Sequence, residues 1–320
     1  MSNKKFLGLI GCGYWGKNLA RDFNHFGVLK IVSDLDINAN LQVKKICKNL
    51  IFTDNYRKIL EDSSITSVAI ATPAKTHYKL VKEALISKKN VFVEKPLCLN
   101  YKDGKELVEL AKASKLKLMV GHLMLYHPAF NKMKKSIEKG KIGNIRYIYS
   151  NRLALGKLRK EEDVLWSFAP HDISMILELV KHKLISVKAF GAKYLSNKVA
   201  DTTITLLKFN KNKVKAHIFV SWLHPYKDQR LVVVGEKGML VFADVLSQEK
   251  KLMFYNHKIG WERDIPKIHK AEGKNIPFNF KVEPLKQECK AFIDLVCNEK
   301  IPISNADEGL QVLKVLEMAK

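Results

Sequence analysis

Short apolar runs alternate with stretches of helical spacing through the first third of the chain. Phe6 to Ile10 is an apolar run closed by Gly11, with the length and boundary of a strand buried on both faces of a parallel sheet. Leu19, Phe23 and Phe26 follow at helical spacing. Leu29 to Asp34 predicts a second strand, ending in an acid, and Ser67 to Pro73 a third, stopped by its proline. Leu80, Val81, Ala84 and Leu85 predict a helix leading into a strand at Asn90 to Pro96. A helix around Leu107 to Ala113 and a strand at Leu116 to Val120 close the series. Alternation at this spacing predicts an α/β fold with a doubly wound parallel sheet over residues 1–122.

After about residue 122 the pattern changes. A helix is predicted from Ala129 to Lys139, ended by Gly140, and Ile145 to Arg152 alternates like a half-buried strand. Ile173, Ile176, Leu177 and Val180 predict a helix beginning near His171. Thr202 to Phe209, Lys213 to Trp222, Arg230 to Val234 and Leu240 to Ala243 read as antiparallel strands, the first two joined by the turn Asn210-Lys211-Asn212. Helices are expected near 284–297 and 307–319. This predicts an α+β domain over 123–320 with a large, mostly antiparallel open sheet, whose C-terminal helices can pack back on the first domain. No flexible linker separates the halves, so a close interface with a cleft is expected.

The chain has 320 residues, long enough for two cores, and 47% of them are hydrophobic, which excludes a disordered or collagen-like chain. No apolar run approaches the roughly 18 residues that a membrane span needs. Met1 to Lys5 leads straight into a strand, without the pattern of a signal peptide, so a cytoplasmic protein with no membrane partner is expected. The five cysteines include no C-x-x-C pair, and His122 and His127 do not share a helix face, so neither a disulfide framework nor a metal site is expected. The net charge of +24 comes mostly from scattered lysines without interleaved aromatics. It reads as a solvated coat that favours anionic substrates, and nucleic acid is not expected as a partner.

Gly11-Cys12-Gly13-Tyr14-Trp15-Gly16 is G-x-G-x-x-G between a strand and a helix. The first glycine permits the turn, the second lets backbone approach a pyrophosphate, and the third allows close packing of helix on strand. Asp34, 18 residues after Gly16, can accept hydrogen bonds from ribose hydroxyls and disfavours a 2′-phosphate, which points to NAD; Asp36 is the alternative ribose ligand. Glu94-Lys95-Pro96 ends a strand at the edge where such sheets bind ligands. His171, at a helix start, has the chemistry to take the proton of an alcohol undergoing oxidation.

Gly11-x-Gly13-x-x-Gly16, Ala71-Thr72-Pro73 with His77, Glu94-Lys95-Pro96, Gly121-His122 and His171-Asp172 occur in an order and spacing that resemble the glucose–fructose oxidoreductase / inositol dehydrogenase / MocA family. The resemblance covers essentially the whole chain. It implies an N-terminal NAD-binding Rossmann domain and a C-terminal domain that shapes the substrate pocket and mediates assembly into a homodimer or homotetramer. It assigns Lys95 and His171 to the catalytic site, with Tyr14, Trp15, Thr72, Pro73, His77, Glu94 and His122 joining the glycines and Asp34 around the cofactor. One position departs: many polyol-oxidising members carry an aspartate four residues before the histidine, where this chain has Ser167.

The stretch Trp166 to Ser174, with Ser221 to Lys227 and Arg230, resembles the subgroup that oxidises the 3-hydroxyl of UDP-linked N-acetylated sugars. That implies a UDP-N-acetylglucosamine or uronate substrate, a downstream aminotransferase, and a place in surface polysaccharide or lipid A synthesis. Arg152, Lys157, Arg159, Lys227 and Arg230 are then candidates for the diphosphate, since cationic side chains make charge-assisted bonds to phosphate. The alternatives are reduction of a keto-sugar with NAD(P)H and a non-catalytic sensor of dinucleotide or sugar.

Overall fold

The computed structural model describes residues 5–156, 158–159, 162–195, 197–210 and 214–320, so Lys157 and the predicted turn residues Lys211 and Asn212 lie outside the described residues. The N-terminal elements are β1 (Leu7–Ile10), α1 (Gly16–His25), β2 (Leu29–Ser33), α2 (Ala39–Ile46), β3 (Ile51–Thr53), α3 (Arg57–Glu61), β4 (Ser67–Ile70), α4 (His77–Ile86), β5 (Asn90–Glu94), α5 (Tyr101–Ala113) and β6 (Leu118–Gly121). The six strands pair in parallel in the order β3-β2-β1-β4-β5-β6. Every residue of β1, β4 and β6 is buried, which is why these strands are apolar apart from Ser67 at the start of β4. The strand order reverses between β1 and β4, and the crevice beyond the carboxyl ends of the strands is the ligand edge of such a sheet. The sequence pattern did not show α2, β3 or α3: three residues of β3 carry no period, and its first residue, Ile51, faces solvent.

Next come α6 (Pro128–Glu138), β7 (Ile145–Leu153), α7 (Val164–Phe168), α8 (Pro170–Val180), β8 (Leu184–Ala192), β9 (Thr202–Phe209), β10 (Lys215–Ser221), β11 (Asp228–Gly235), β12 (Met239–Ala243), α9 (Gln248–Lys251), β13 (Leu252–Tyr255), β14 (Lys258–Glu262), β15 (Ile265–His269) and β16 (Lys274–Asn275). Eight of these strands form one sheet in the order β16-β13-β12-β11-β7-β10-β9-β8, while β14 and β15 make a separate ribbon. The β7–β10 pair is parallel and the other pairs of the large sheet are antiparallel. β9 alternates strictly, with Thr203, Thr205, Leu207 and Phe209 buried between outward-facing neighbours. α8 lies against β7 and β10 and buries Ile173, Ile176, Leu179 and Val180.

The last helices are α10 (Pro284–Asn298) and α11 (Ala306–Met318). Residues 1–123 with 284–314 make one compact unit, and 124–283 with 315–320 the other. In the first unit Phe292 of α10 meets Phe92 of β5 at 5.8 Å and Phe23 of α1 at 6.3 Å, both edge to face. Gly309 of α11 sits against Val120, where a Cβ would fall 2.4 Å from a valine methyl, so only glycine admits this approach. No described helix is long and apolar enough to cross a membrane.

Candidate active site

The chain leaves β1 through Gly11, whose φ of +91° lies in the region that favours glycine. A Cβ at Gly11 would stand 2.7 Å from the Ala71 carbonyl oxygen, and one at Gly16 would stand 2.1 Å from that of Gly11. These two glycines are therefore demanded by backbone packing. Gly13 differs: nothing lies within 4 Å of a Cβ built there, so its backbone is open to an approaching ligand. α1 starts at Gly16 with no side-chain cap, which leaves the positive end of its dipole for an anion. Between the glycines, burial and the neighbouring Asp34 push the Cys12 thiol up to about 11, which disfavours the thiolate.

Asp34 follows β2 and is held by two backbone donors. Its Oδ2 accepts from the Cys12 N–H at 2.5 Å and its Oδ1 from the Asp36 N–H at 2.9 Å. The first bond ties the acid to the glycine turn. Asp36 turns its own carboxylate to the backbone and side-chain nitrogens of Asn38. A cleft of about 560 Å³ opens over this edge and brings together Gly11, Gly13, Asp34, Thr72 and Pro73. An open Gly13 and an anchored acid in one cleft, with an uncapped helix starting three residues after that glycine, fit the pyrophosphate and ribose of NAD. Tyr56, Lys75 and Lys79 also line it and were missed in the sequence, because one lysine pair in a lysine-rich chain carries no signal. Tyr14 stands at the turn, 83% exposed.

His77 does not line that cleft. Its buried ring joins two turns, Nδ1 to the Pro96 carbonyl at 2.7 Å and Nε2 to the Thr72 carbonyl at 2.9 Å. Burial lowers its proton affinity against these two bonds. The histidine thus braces the turn after β4 against Lys95–Pro96, whose peptide bond is cis. Thr72 is also fixed, its Oγ1 lying 2.7 Å from that of Thr76.

Glu94 ends β5, and Trp15 of the glycine turn donates its indole N–H to Glu94 Oε1. Burial pushes the Glu94 carboxyl up to about 7, against the pull of the Trp15 bond and the Lys95 charge. Beside it, the buried His122 places Nδ1 2.6 Å from Glu308 Oε2. Glu288 and Glu308, from the C-terminal helices, are neighbours of this site that sequence reasoning missed; more than 270 residues separate them from the glycine turn.

In the second unit His171 lies in the first turn of α8, after Pro170. The next residue, Asp172, is 1% exposed and accepts from Arg152 Nε at 2.6 Å and Ser150 Oγ at 2.5 Å. Arg152, one of the residues expected to bind phosphate, donates to Asp172, and this pair anchors the turn that carries His171. Arg159 pairs with Glu162 at 3.0 Å and lines a cavity of about 360 Å³ with Lys198, Asp201 and Trp222. Arg230 pairs with Asp228 at 3.4 Å, and Lys227 is exposed. Ser167 is buried. Among the described residues no group of three or more His, Cys, Asp or Glu could hold a metal ion.

Comparison with known proteins agrees with this geometry. The description "Oxidoreductase family, NAD-binding Rossmann fold" matches residues 6–122, and "GFO/IDH/MocA C-terminal domain" matches residues 130–241. The chain is 26% identical over 307 residues to UDP-N-acetylglucosamine 3-dehydrogenase of Acidithiobacillus ferrooxidans, covering 96% of this chain and 93% of that protein. It is 28% identical over 252 residues to myo-inositol 2-dehydrogenase of Thermotoga maritima, covering 74% and 75%. The structure of UDP-N-acetylglucosamine 3-dehydrogenase GnnA from Acidithiobacillus ferrooxidans superposes with a TM-score of 0.83 and 22% identity over 98% of this chain and 95% of that one, a likeness of fold. The chain belongs to the glucose–fructose oxidoreductase / inositol dehydrogenase / MocA family of oxidoreductases, and its parallel sheet is the NAD-binding Rossmann domain of that family.

Proposed function

We propose that the chain is an NAD-dependent dehydrogenase that oxidises the 3-hydroxyl of a UDP-linked N-acetylated sugar, UDP-N-acetylglucosamine or its uronate, to the 3-keto sugar. One observation carries this reading: the likeness to a UDP-N-acetylglucosamine 3-dehydrogenase runs along 96% of the chain and so includes the unit that would choose the substrate. Bound NAD supplies the hydride acceptor. Lys95, at the ligand edge of the parallel sheet, has the charge to stabilise the alkoxide that forms as the hydroxyl gives up its proton. His171 is the second proton-handling group, and Asp172, held by Arg152 and Ser150, fixes the turn it stands on. Arg159 and Lys198, around one cavity with Trp222, suit the diphosphate; Lys227 and Arg230 are further candidates.

A 3-keto sugar is a substrate for an aminotransferase, which we place next in the sequence of reactions, in surface polysaccharide or lipid A synthesis. A nucleotide-sugar substrate would put the reaction in the cytoplasm. The outer face of the large sheet suits a homodimer or homotetramer. Phe190, Ile204 and Phe219 are register neighbours across β8, β9 and β10, and Phe190 and Ile204 are 66% and 46% exposed. The likeness to myo-inositol 2-dehydrogenase favours a second reading, oxidation of a free polyol.

The test mixes protein and NAD⁺ with UDP-N-acetylglucosamine, its uronate or myo-inositol in separate cuvettes and follows NADH absorbance. An aminotransferase with glutamate pulls the equilibrium in the two UDP-sugar reactions. A signal with one UDP-sugar is the expected result and also identifies the group at C6. A signal with myo-inositol alone would replace the proposal by the second reading.

A further inference from the structure

Three carboxylates from three separate elements converge behind the turn that carries Lys95. Glu94 comes from β5, Glu288 from α10 and Glu308 from α11. The aromatic cluster sets the alignment. Phe92 and Glu94 share a face of β5, being two residues apart, and Glu288 stands one helical turn before Phe292. Since Phe292 meets Phe92, Glu288 is carried towards Glu94. Gly121 pairs with Glu94 in register, and a Cβ there would lie 3.1 Å from Glu94 Oε2 and 3.2 Å from the Phe92 ring, so both side chains lie over that glycine.

Glu288 is wholly buried, and among the described residues neither of its oxygens has a hydrogen-bond partner; nor has Glu308 Oε1. A buried carboxyl without a donor holds its proton, because the anion would lose its hydration with nothing in return. The charged groups around it are Lys95 beside Glu94, His122 paired with Glu308, and the Arg21–Asp22 pair of α1, which acts on the adjacent thiol Cys289. Burial and the charges of Glu94 and Glu308 push Glu288 well up, while Glu94 is itself at about 7. Two interacting acids that cannot both ionise readily titrate as one unit.

This unit is wired to the cofactor turn. Trp15 lies inside G-x-G-x-x-G, and its N–H donates to Glu94. A donor held firmly in that position favours the carboxylate form, as does any positive charge brought to the site. NAD⁺ and NADH bring the same diphosphate anion to the turn and differ by the positive charge on the nicotinamide ring of NAD⁺. We propose that Glu94 and Glu288 form a buried pair of acids that titrate together, with Glu288 the positioning residue of Glu94, and that the pair holds fewer protons in the NAD⁺ complex than in the NADH complex, the difference passing to solvent. Binding that releases a proton strengthens as pH rises, by up to about tenfold per proton and pH unit. The affinity for NAD⁺ relative to NADH therefore increases from about pH 6 to 8.

Isothermal titration of the full chain tests this. NAD⁺ and NADH are titrated near pH 7 in phosphate and in Tris, whose ionisation heats differ, and the difference counts protons. The expected result is that NAD⁺ binding leaves the protein with a substantial fraction of a proton fewer than NADH binding does. This difference falls at least twofold in E94Q and in E288Q, whose amides hold no exchangeable acid proton. The comparison of NAD⁺ with NADH needs no variant. Equal proton counts for the two dinucleotides, or the wild-type difference persisting in E288Q, would overturn the proposal. The test involves no sugar, so its failure leaves the substrate reading standing, and the converse holds.

Discussion

The two sheets of this protein bury their strands differently. β1, β4 and β6 are covered on both faces, whereas β9 shows one face to the core and presents Ile204 and Leu206 outward. The contrast extends to how each unit builds its site. The cofactor edge is made by backbone: Gly11, Gly13 and Gly16 matter because of what a Cβ would strike or block. The turn that carries His171 is held by side chains, through the Asp172 bonds to Arg152 and Ser150 on another strand. A site made by backbone leaves a contiguous motif; a site made by side chains across strands leaves none.

The sharpest way to break this comparison is at the chemistry. Lys95→Ala should lower turnover by at least about 10²-fold, the ordinary contribution of a proton-handling group, with the Kd for NAD⁺ nearly unchanged. Steady-state rates beside calorimetric Kd values check this, and a large loss of NAD⁺ affinity would place Lys95 in the cofactor cradle instead. Stability separates the sheets next. Phe292→Ala removes the buried ring that touches Phe23 and Phe92 and should cost about 3–5 kcal/mol. Phe190→Ala, at a side chain 66% exposed, should change the stability of the isolated chain by less than about 0.5 kcal/mol. Urea midpoints of the two variants give the ratio.

A smaller effect is expected at Asp34. Its carboxylate orders the Cys12 N–H as well as being offered to ribose. Asp34→Ala should weaken NAD⁺ binding by about 1.5–3 kcal/mol, the worth of hydrogen bonds to a charged group. A separate effect lies in the pH dependence of stability. Folding raises the Glu94 carboxyl from the ordinary 4.5 to about 7, so the folded chain binds more protons than the unfolded chain between these values. The stability this contributes is full at low pH and is lost as pH rises through that window. Between about pH 5 and 8 the wild type should therefore lose more Tm than E94Q. Parallel Tm profiles would show that Glu94 titrates alike in both states.

The particular elements show where legibility stops. The strands around the switch point stand out because double burial demands unbroken apolar runs. β3, with three residues, and the ribbon β14–β15, whose β15 is wholly exposed, have no such demand to register. Arg152 looks in sequence like any phosphate-binding cation, and only the fold shows it paired with Asp172. His77 looks like a cofactor ligand, and only the fold shows both its nitrogens on backbone carbonyls.

By itself, the sequence determined the parallel sheet, the glycine turn, the acid after β2 and the family to which the chain belongs. The first three follow from local rules, because a strand's period and a turn's need for glycine act within a few residues; the family rests on the resemblance of motifs spread along the chain. The tertiary structure alone decided the partners of each charge. It brought α10 and α11 onto the parallel sheet and set Glu288 and Glu308 behind Glu94 and His122. The proton affinity of a buried acid depends on charges and hydration within a few ångströms in space, and distance along the chain carries no record of that.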